Sequence, residues 1–332
     1  MSPIVYCAPL TFPVIAIVGL MRGGIYAWAL PALVFGVVPL VEIWLRGADA
    51  GQSSVPNASR RWHRLVLYLS LPLVAGTTAV LIHQAGTDAL VGLDWVGGVL
   101  STGLVLGGLG INVAHELGHS RSRAERNAAK VLLSMSLYMH FFIEHNRGHH
   151  RNVGTEIDPA SARRGEKLYA FWLRSITGGW MSAWWIAPGQ MARLQAFQLS
   201  LIAGVIALAG WAAALSWIAA AGVGVLLLET VNYVEHYGLY RQRKENGRYE
   251  RVQPIHSWNA DHPVGRALLF ELTRHADHHA NTGRPYAALR HLGQAPQLPT
   301  GYPGMILAAL IPSLFFRLMH PRLDAIAQRR AA

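Results

Sequence analysis

Residues 96–119 read VGGVLSTGLVLGGLGINVAHELGH, and this stretch decides the fold. The part from 96 to 113 carries no charged side chain, and about 20 such residues suffice to cross a bilayer as a helix. The apolar run passes directly into His115 and His119, which lie one helical turn apart. The stretch therefore predicts a membrane helix that delivers two histidines to one end of the span.

The composition of the whole chain points to the same class of protein. Of its 332 residues, 52% are hydrophobic and 14% are charged, against about 25% charged in an average soluble protein. Such a composition excludes intrinsic disorder, a disulfide scaffold and a fibrous repeat. We therefore expect an all-α integral membrane protein.

Further apolar runs predict about six transmembrane helices in a single membrane-embedded domain covering residues 1–332. A cytoplasmic histidine-rich cap is expected at about 115–194 and 237–332. Three shorter apolar segments, 130–143, 168–186 and 303–319, are predicted to be helices at the membrane face. The six spans are expected at about 4–21, 24–46, 65–84, 95–114, 196–214 and 216–236, with a turn near Leu215 between the last two.

The basic residues fix the expected orientation. If the amino terminus is inside, Arg22 is the only basic residue in an outer loop, as the positive-inside rule requires. Both termini are then cytoplasmic, and the uncharged first residues predict a first span that is retained. The net charge of +11 suits anionic lipid or an acidic partner better than nucleic acid, because the basic residues flank apolar segments.

Histidine is the unusual residue of this chain. There are 16 histidines and one cysteine, Cys7, which excludes an internal disulfide and any metal centre with several cysteine ligands. Nine of the histidines fall in four clusters at the inner ends of apolar helices. The clusters are His115 and His119; His145, His149 and His150; His236; and His275, His278 and His279.

The spacing within the clusters predicts metal ligation. His115 and His119 are separated by four residues, as are His145 and His149, so each pair is expected to share one helix face. Nine imidazoles supply four or five nitrogen ligands to each of two metal ions. Imidazole suits iron, copper, zinc and nickel, so the ligand type leaves the metal open.

Acidic residues adjoin the clusters and are candidates to orient the metal ligands. His140, which precedes the second cluster, is a further candidate for this role or for packing. The acidic candidates are Glu116, Glu144, Glu235 and Asp277.

Two other classes of function fit part of the pattern. His115 to His119 also matches the HExxH motif of zinc proteases, with Glu116 as general base, but six clustered histidines remain outside that motif. A metal-binding membrane protein or transporter would place ionisable groups near the middle of the membrane. Here the clusters lie at helix ends.

Taken together, the motifs resemble the integral-membrane alkane 1-monooxygenases, within the membrane di-iron group that contains the fatty-acid desaturases. The resemblance covers roughly 110–321. It is carried by HELGH at 115–119, EHNRGHH at 144–150, NYVEHYG at 232–238 and RHADHHA at 274–280, and by the connecting DPASAR at 158–163, GRYERVQ at 247–253, HSWN at 256–259 and GYPGM at 301–305.

This resemblance implies a non-haem di-iron monooxygenase whose metal ligands are the nine clustered histidines. Such an enzyme hydroxylates the terminal methyl of medium- and long-chain n-alkanes to primary alcohols with O2. Its electrons come from a separate rubredoxin and an NADH-dependent reductase, and it lies in the bacterial inner membrane. A related enzyme acting on methyl-aromatic or fatty-acyl substrates is the alternative within the same group.

The resemblance also suggests where substrate and partner bind. Val34 and Val38 lie in the segment that resembles the family's chain-length determinant, so they are candidates to line an apolar tunnel. A surface rich in basic residues suits a small acidic partner. The docking candidates are Arg241, Arg243, Lys244 and Arg251.

Three positions depart from the family pattern, and none is a predicted ligand. The lysine that commonly follows HELGH is Ser120 here, the usual second arginine after the last cluster is Pro285, and an aspartate of the second span is Glu42. These departures bear on the substrate range and the fit of the partner.

Overall fold

The computed structural model describes residues 2–45 and 60–331, and Arg46, at the end of the second predicted span, lies outside them. The described residues form helices and connecting loops, with two isolated β-bridges and no strand. The longer helices α1 to α8 are Ile4–Arg22, Gly24–Trp44, Arg60–Gly86, Gly92–Gly118, Arg123–Met135, Phe141–Asn152, Leu168–Ile186 and Pro188–His236. Helices α9 to α12 are Pro263–Leu268, His275–Ala280, Tyr302–Ala309 and Pro312–Ala331.

Five described helices, α1 to α4 and α8, are long and apolar enough to cross a membrane. Helices α1 and α2 are joined at Gly23, whose φ of 65° lies in the left-handed region that glycine enters without a steric penalty. The protein is therefore an all-helical membrane protein, as the composition predicts.

Helix α8 is long enough for two crossings. Its 49 residues would extend about 73 Å as a straight helix, against a bilayer core of about 30 Å. The helical geometry is interrupted at Gly210, where φ is 83° and ψ is 175°. The break lies upstream of the predicted turn near Leu215, because a glycine tolerates this conformation and a leucine does not.

The predicted single helix over 130–143 is wrong. Helix α5 ends at Met135 and α6 begins at Phe141. Between them Leu137 has a φ of 49°, and the Ser136 hydroxyl donates to the carbonyl of Leu106 in α4 at 3.4 Å. Residues 136–140 of the apolar segment thus form a turn that contacts the fourth span, and hydrophobicity alone does not distinguish such a turn from a helix.

The two other short apolar segments differ in outcome. The segment 168–186 is one helix, α7, with the predicted bounds. The segment 303–319 is divided between α11 and α12, because Pro312 has no N–H to continue the helical hydrogen bonds and instead begins a new helix.

Small residues hold α4 and α8 in backbone contact. A Cβ added to Gly107 would lie 2.7 Å from the carbonyl oxygen of Gly224, and one added to Gly103 would collide with Cβ of Val223. Close approach of this kind is typical of helix packing in membranes. It fixes the relative position of the two helices whose ends carry His115 and His236.

The cap is tied to α8 and to itself by buried polar contacts. Trp258 donates its backbone N–H to the carbonyl of Glu235 and its indole N–H to the carbonyl of Tyr237. Arg274, which is fully buried, donates to Asp261 at 3.1 Å and to the carbonyl of Leu289 at 2.9 Å. These bonds position α10, which follows Arg274 directly and carries three of the clustered histidines.

Candidate metal centre

The structure brings all nine clustered histidines together in two adjacent groups. Within each group the ligand nitrogens lie within 4.8 Å of one another. Group one consists of His115, His119, His145, His150 and His278, and group two of His149, His236, His275 and His279.

The ε nitrogens of group one converge on a common point. Nε2 of His150 lies 2.9 Å from that of His145, 3.2 Å from that of His119 and 3.1 Å from that of His278. Nε2 of His115 lies 3.0 Å from that of His278. Five imidazoles from α4, α6, α10 and the turn after α4 thus present the same atom to one site.

Group two has the same character and lies beside group one. Nε2 of His275 is 2.9 Å from that of His279 and 3.1 Å from that of His236, and Nε2 of His149 is 3.3 Å from that of His279. The ring centroids of His150 and His279 are 4.6 Å apart, so the two groups are neighbours.

A π-helical segment, His145–His149, assigns the second cluster to both groups. In a π-helix residues five apart come together, and His145 meets His150 accordingly. His149 is left to face group two. His145 and His149 do lie on one side of the helix, with ring centroids 5.3 Å apart, but their ε nitrogens belong to different groups, which their spacing alone does not predict.

Burial keeps most of these imidazoles neutral. It lowers the pKa of His119 to about 4 and holds the pKa values of His145, His150 and His278 well below their usual range. Neutral imidazole is the form that binds a metal. The pKa of His149 is an exception: burial lowers it, but the nearby Asp158 carboxylate outweighs this and leaves it raised.

Asp158 binds the outward-facing nitrogen of His149. Its Oδ2 lies 2.9 Å from Nδ1 of His149 and accepts a hydrogen bond from Ser161 at 2.6 Å. A proton on Nδ1 leaves the lone pair of Nε2 directed into group two. Metal-binding histidines usually make such a hydrogen bond to a carboxylate through the nitrogen that does not bind the metal. Our sequence reasoning did not single out Asp158, although the DPASAR segment contains it.

The chemistry of the donor set fits metal ions. Nitrogens of nine histidines, seven of them buried and two partly buried, face one another, and neutral imidazoles in the Nδ1–H form would present lone pairs to lone pairs. Buried polar atoms without a partner are destabilising. A cation at each group would satisfy them, so the structure has the arrangement of a non-haem metal centre.

Of the acidic candidates, Glu235 reaches a clustered histidine. Its Oε2 lies 3.2 Å from Nε2 of His275, and its Oε1 accepts a hydrogen bond from the hydroxyl of Tyr302 at 2.7 Å. Tyr302 thus fixes the carboxylate at the edge of group two.

The other orienting candidates have different partners. Glu116 accepts from the backbone N–H of Tyr286 at 3.1 Å, and Asp277 binds Arg284 and accepts from the N–H of Arg290. Ser182 donates to Glu144 at 3.5 Å, and burial raises the pKa of Glu144 to about 8. His140 packs on Tyr138. Within the described residues none of the four is hydrogen-bonded to a clustered histidine.

An apolar cavity borders both groups. His115 and His145 of group one and His275 of group two lie in its wall. The rest of the wall is mostly aliphatic, with its largest share from α2, α4, α8 and α11, and both predicted tunnel residues, Val34 and Val38, are part of it.

A separate polar cleft reaches the centre at His119. His119 is only partly buried, unlike most of the nine. Arg64, Arg121 and Arg284 line the cleft together with Glu116 and Glu125. The centre thus lies between an apolar cavity and a polar cleft.

The four docking candidates lie on one surface loop after α8. The loop is closed by the bridge between Arg243 and Tyr249. Arg241 donates to the carbonyls of Glu250 and Arg151, at 2.6 and 3.0 Å, whereas Lys244 and Arg251 are exposed.

The three departures from the family pattern have local partners. Ser120 donates to Glu125, and Gly265 donates its N–H to Glu42 at 3.0 Å. The carbonyl of Pro285 accepts a hydrogen bond from the N–H of Ala288 at 2.8 Å. Each of the three residues therefore takes part in a local hydrogen bond.

Comparison with known proteins places this geometry in a family. Residues 93–308 match the family model described as fatty acid desaturase. An alkane 1-monooxygenase from Ectopseudomonas oleovorans is 39% identical over 306 residues, covering 87% of this chain and 76% of the relative.

Two further relatives show the breadth of the group. Alkane 1-monooxygenase 1 from Alcanivorax borkumensis is 38% identical over 306 residues, covering 87% of this chain and 75% of the relative. The hydroxylase component of a xylene/toluene monooxygenase from Pseudomonas putida is 28% identical over 336 residues, covering 95% and 87% of the two chains.

Proposed function

We propose that this chain, which belongs to the fatty acid desaturase family and, within it, to the alkane 1-monooxygenases, oxidises the terminal methyl of medium- and long-chain n-alkanes to a primary alcohol. Two non-haem irons, held by its nine histidines, would carry out this oxidation. O2 is the co-substrate. The observation that carries the proposal is the apolar cavity whose wall contains His115, His145 and His275.

The cavity suits a substrate without polar groups. An alkane binds only by burying its methylenes, at about 0.8 kcal/mol each, and the aliphatic wall provides this burial. Because ligand histidines form part of its wall, the cavity lets an alkane lie with one end toward them. That orientation selects the terminal methyl, because the internal methylenes are held farther from the metal site.

Bound irons would supply the reduction of O2 and the oxidation of the C–H bond. The side chains of the protein would hold the ions, orient the ligands and exclude water. Group one would hold one ion and group two the other, with Asp158 fixing the tautomer of His149. Phe141, which is buried and borders the cavity beside His145, keeps water from the reacting end of the substrate.

The electrons are proposed to come from another protein. In the described part of the chain both groups of potential metal ligands belong to the nine-histidine centre, and the sequence has one cysteine, fewer than an iron site with several cysteine ligands requires. We assign the donor role to a rubredoxin reduced by an NADH-dependent reductase, with Arg241, Arg243, Lys244 and Arg251 as its docking residues. The small acidic surface of a rubredoxin complements these basic side chains.

The proposed setting is the bacterial inner membrane, with several crossings and both termini in the cytoplasm. The distribution of basic residues supports it, since Arg22 is the only one assigned to an outer loop. The polar cleft at His119 then opens toward the side on which NADH and the electron carrier are found.

Product analysis tests the proposal. Purified protein in lipid, with rubredoxin, its reductase, NADH and O2, is supplied with octane to hexadecane, and the products are identified by mass spectrometry. We expect 1-alkanols whose new oxygen derives from 18O2. A parallel reaction is supplied with xylene. Alcohol formed from xylene but not from the alkanes would favour the xylene-type alternative, which the similarity to the Pseudomonas putida hydroxylase component supports.

The zinc-protease alternative is not retained. His115 and His119 share their site with three further histidines. Glu116, the general base of that motif, accepts a hydrogen bond from the backbone of Tyr286.

A further inference from the structure

One face of α4 forms a continuous wall of the apolar cavity and ends on a proposed metal ligand. The cavity-lining residues of this helix follow a spacing of three or four, the spacing of a single helix face. They are Leu104, Gly107, Gly108, Ile111, Asn112 and His115. Positions on this face therefore correspond to distances from the metal centre.

The two glycines of this wall have different surroundings. A Cβ at Gly107 would collide with the backbone of Gly224 at 2.7 Å, so this glycine serves helix packing. A Cβ at Gly108 would find one neighbour, Cδ2 of Leu227 at 4.0 Å. Gly108 lines the cavity, so a side chain placed there would extend into the space that the substrate occupies.

The rise per residue of the helix relates these positions to carbon positions along an extended alkane. Gly108 precedes His115 by seven residues, or about 10 Å along a helix that is partly of the π type. A carbon–carbon bond of about 1.5 Å advances an extended alkane by about 1.3 Å per carbon. Gly108 therefore lies beside about the eighth carbon, and Leu104 beside about the twelfth or thirteenth.

We propose that Gly108 determines the accepted chain length: its missing side chain leaves open the part of the cavity that receives carbons beyond about the eighth. This assignment rests on the proposed alkane substrate and adds a residue on α4 to the candidates Val34 and Val38 of α2. A larger residue at 108 restricts the enzyme to shorter alkanes.

The test compares Gly108→Leu with Gly222→Leu. Gly222 lies on α8, is exposed, and would have nothing within 4 Å of an added Cβ, so it receives the same side chain outside the cavity. Both variants and the unsubstituted protein are given an equimolar mixture of octane and dodecane, and the ratio of 1-dodecanol to 1-octanol is measured. Binding of labelled octane and dodecane to the metal-free proteins provides a readout that does not depend on turnover.

For Gly108→Leu we expect the product ratio and the relative binding of dodecane to fall more than tenfold, because each excluded methylene is worth about fourfold in affinity. Gly222→Leu should leave both unchanged. If Gly108→Leu does not accumulate, Gly108→Ala should shift the ratio in the same direction by about fourfold.

An unchanged ratio in a Gly108 variant that retains its metal would overturn the assignment and indicate that the alkane leaves the α4 wall before this position. Failure of the unsubstituted protein to oxidise any alkane would instead count against the proposed function. The two failures are therefore distinguishable.

Discussion

Oδ2 of Asp158 lies 2.9 Å from Nδ1 of His149, and both side chains are almost completely buried. The pair connects the DPASAR segment to group two of the metal centre. The same carboxylate accepts hydrogen bonds from the Ser161 hydroxyl and, through Oδ1, from the backbone N–H of Ala160. Asp158 is thus held by its own loop and in turn fixes the ring of His149.

Replacing Asp158 with Asn should weaken metal binding more than it weakens folding. The amide is nearly isosteric but removes the negative charge that orients the His149 ring and raises its basicity, and loss of such a partner usually costs 10- to 100-fold in metal affinity. Dialysis against graded chelator, followed by elemental analysis, measures the affinity. The matched control is Asp324→Asn, which removes an exposed carboxylate paired with Arg164, and an equal loss of metal in that variant would refute the role of Asp158.

Acidification should destabilise the metal-free protein. In the folded state burial lowers the pKa of His119 from 6.5 to about 4, and the pKa values of His145, His150 and His278 move in the same direction. Between about pH 6.5 and pH 4 the unfolded chain therefore binds more protons, so the free energy of unfolding falls as the pH falls. His149, whose pKa is raised, and Glu144, whose pKa burial raises to about 8, oppose this effect, but the four histidines with lowered pKa values outnumber them.

Thermal unfolding of the metal-stripped protein in detergent at pH 7 and pH 5 measures this effect. We expect a lower Tm at pH 5. A Tm that is equal or higher at pH 5 would show that the buried imidazoles take up protons readily and are not held neutral for metal binding.

Val34→Trp should shorten the accepted alkane, because Val34 lines the cavity on the α2 side and indole fills more of it than isopropyl does. Competition among octane, dodecane and hexadecane measures the change in product ratio. Val37→Trp is the matched control, since Val37 is in the same π-helical segment but is 51% exposed. Equal selectivity in the two variants would remove Val34 from the substrate site.

Charge reversal in the loop after α8 should impair reduction by the electron carrier. For Arg243→Glu combined with Lys244→Glu we expect a several-fold higher KM for reduced rubredoxin, with kcat at saturating rubredoxin retained and the difference diminished by salt. Arg121→Glu, in the wall of the polar cleft at His119, provides the comparison. A raised KM in Arg121→Glu alone would place the docking surface at the cleft.

The sequence is most informative where a residue type carries a high free-energy cost in its surroundings. Uncharged runs of about 20 residues are rare outside membranes, so the helices α1 to α4 could be predicted closely. Histidines at the ends of such helices are retained for a function, and all nine converge in the structure.

Features that depend on local backbone geometry could not be predicted from the sequence. The sequence does not distinguish a π-helix from an α-helix at His145–His149, and the division of this cluster between the two groups depends on that difference. The turn at Leu137 is hidden in an apolar run for the same reason. Asp158 follows His149 by nine residues, beyond the end of the helix that carries the histidine, so no helical spacing indicates that their side chains meet, and the contact could be identified only in three dimensions.

The metal content of the purified protein tests the central claim most directly. After expression with iron and without added zinc, elemental analysis should find about two irons per chain. His119→Ala, in group one, and His279→Ala, in group two, should each retain about one iron per chain. The control His83→Ala, outside the centre, should retain the same iron content as the unsubstituted protein. One zinc per chain, or two irons in both ligand variants, would contradict the account.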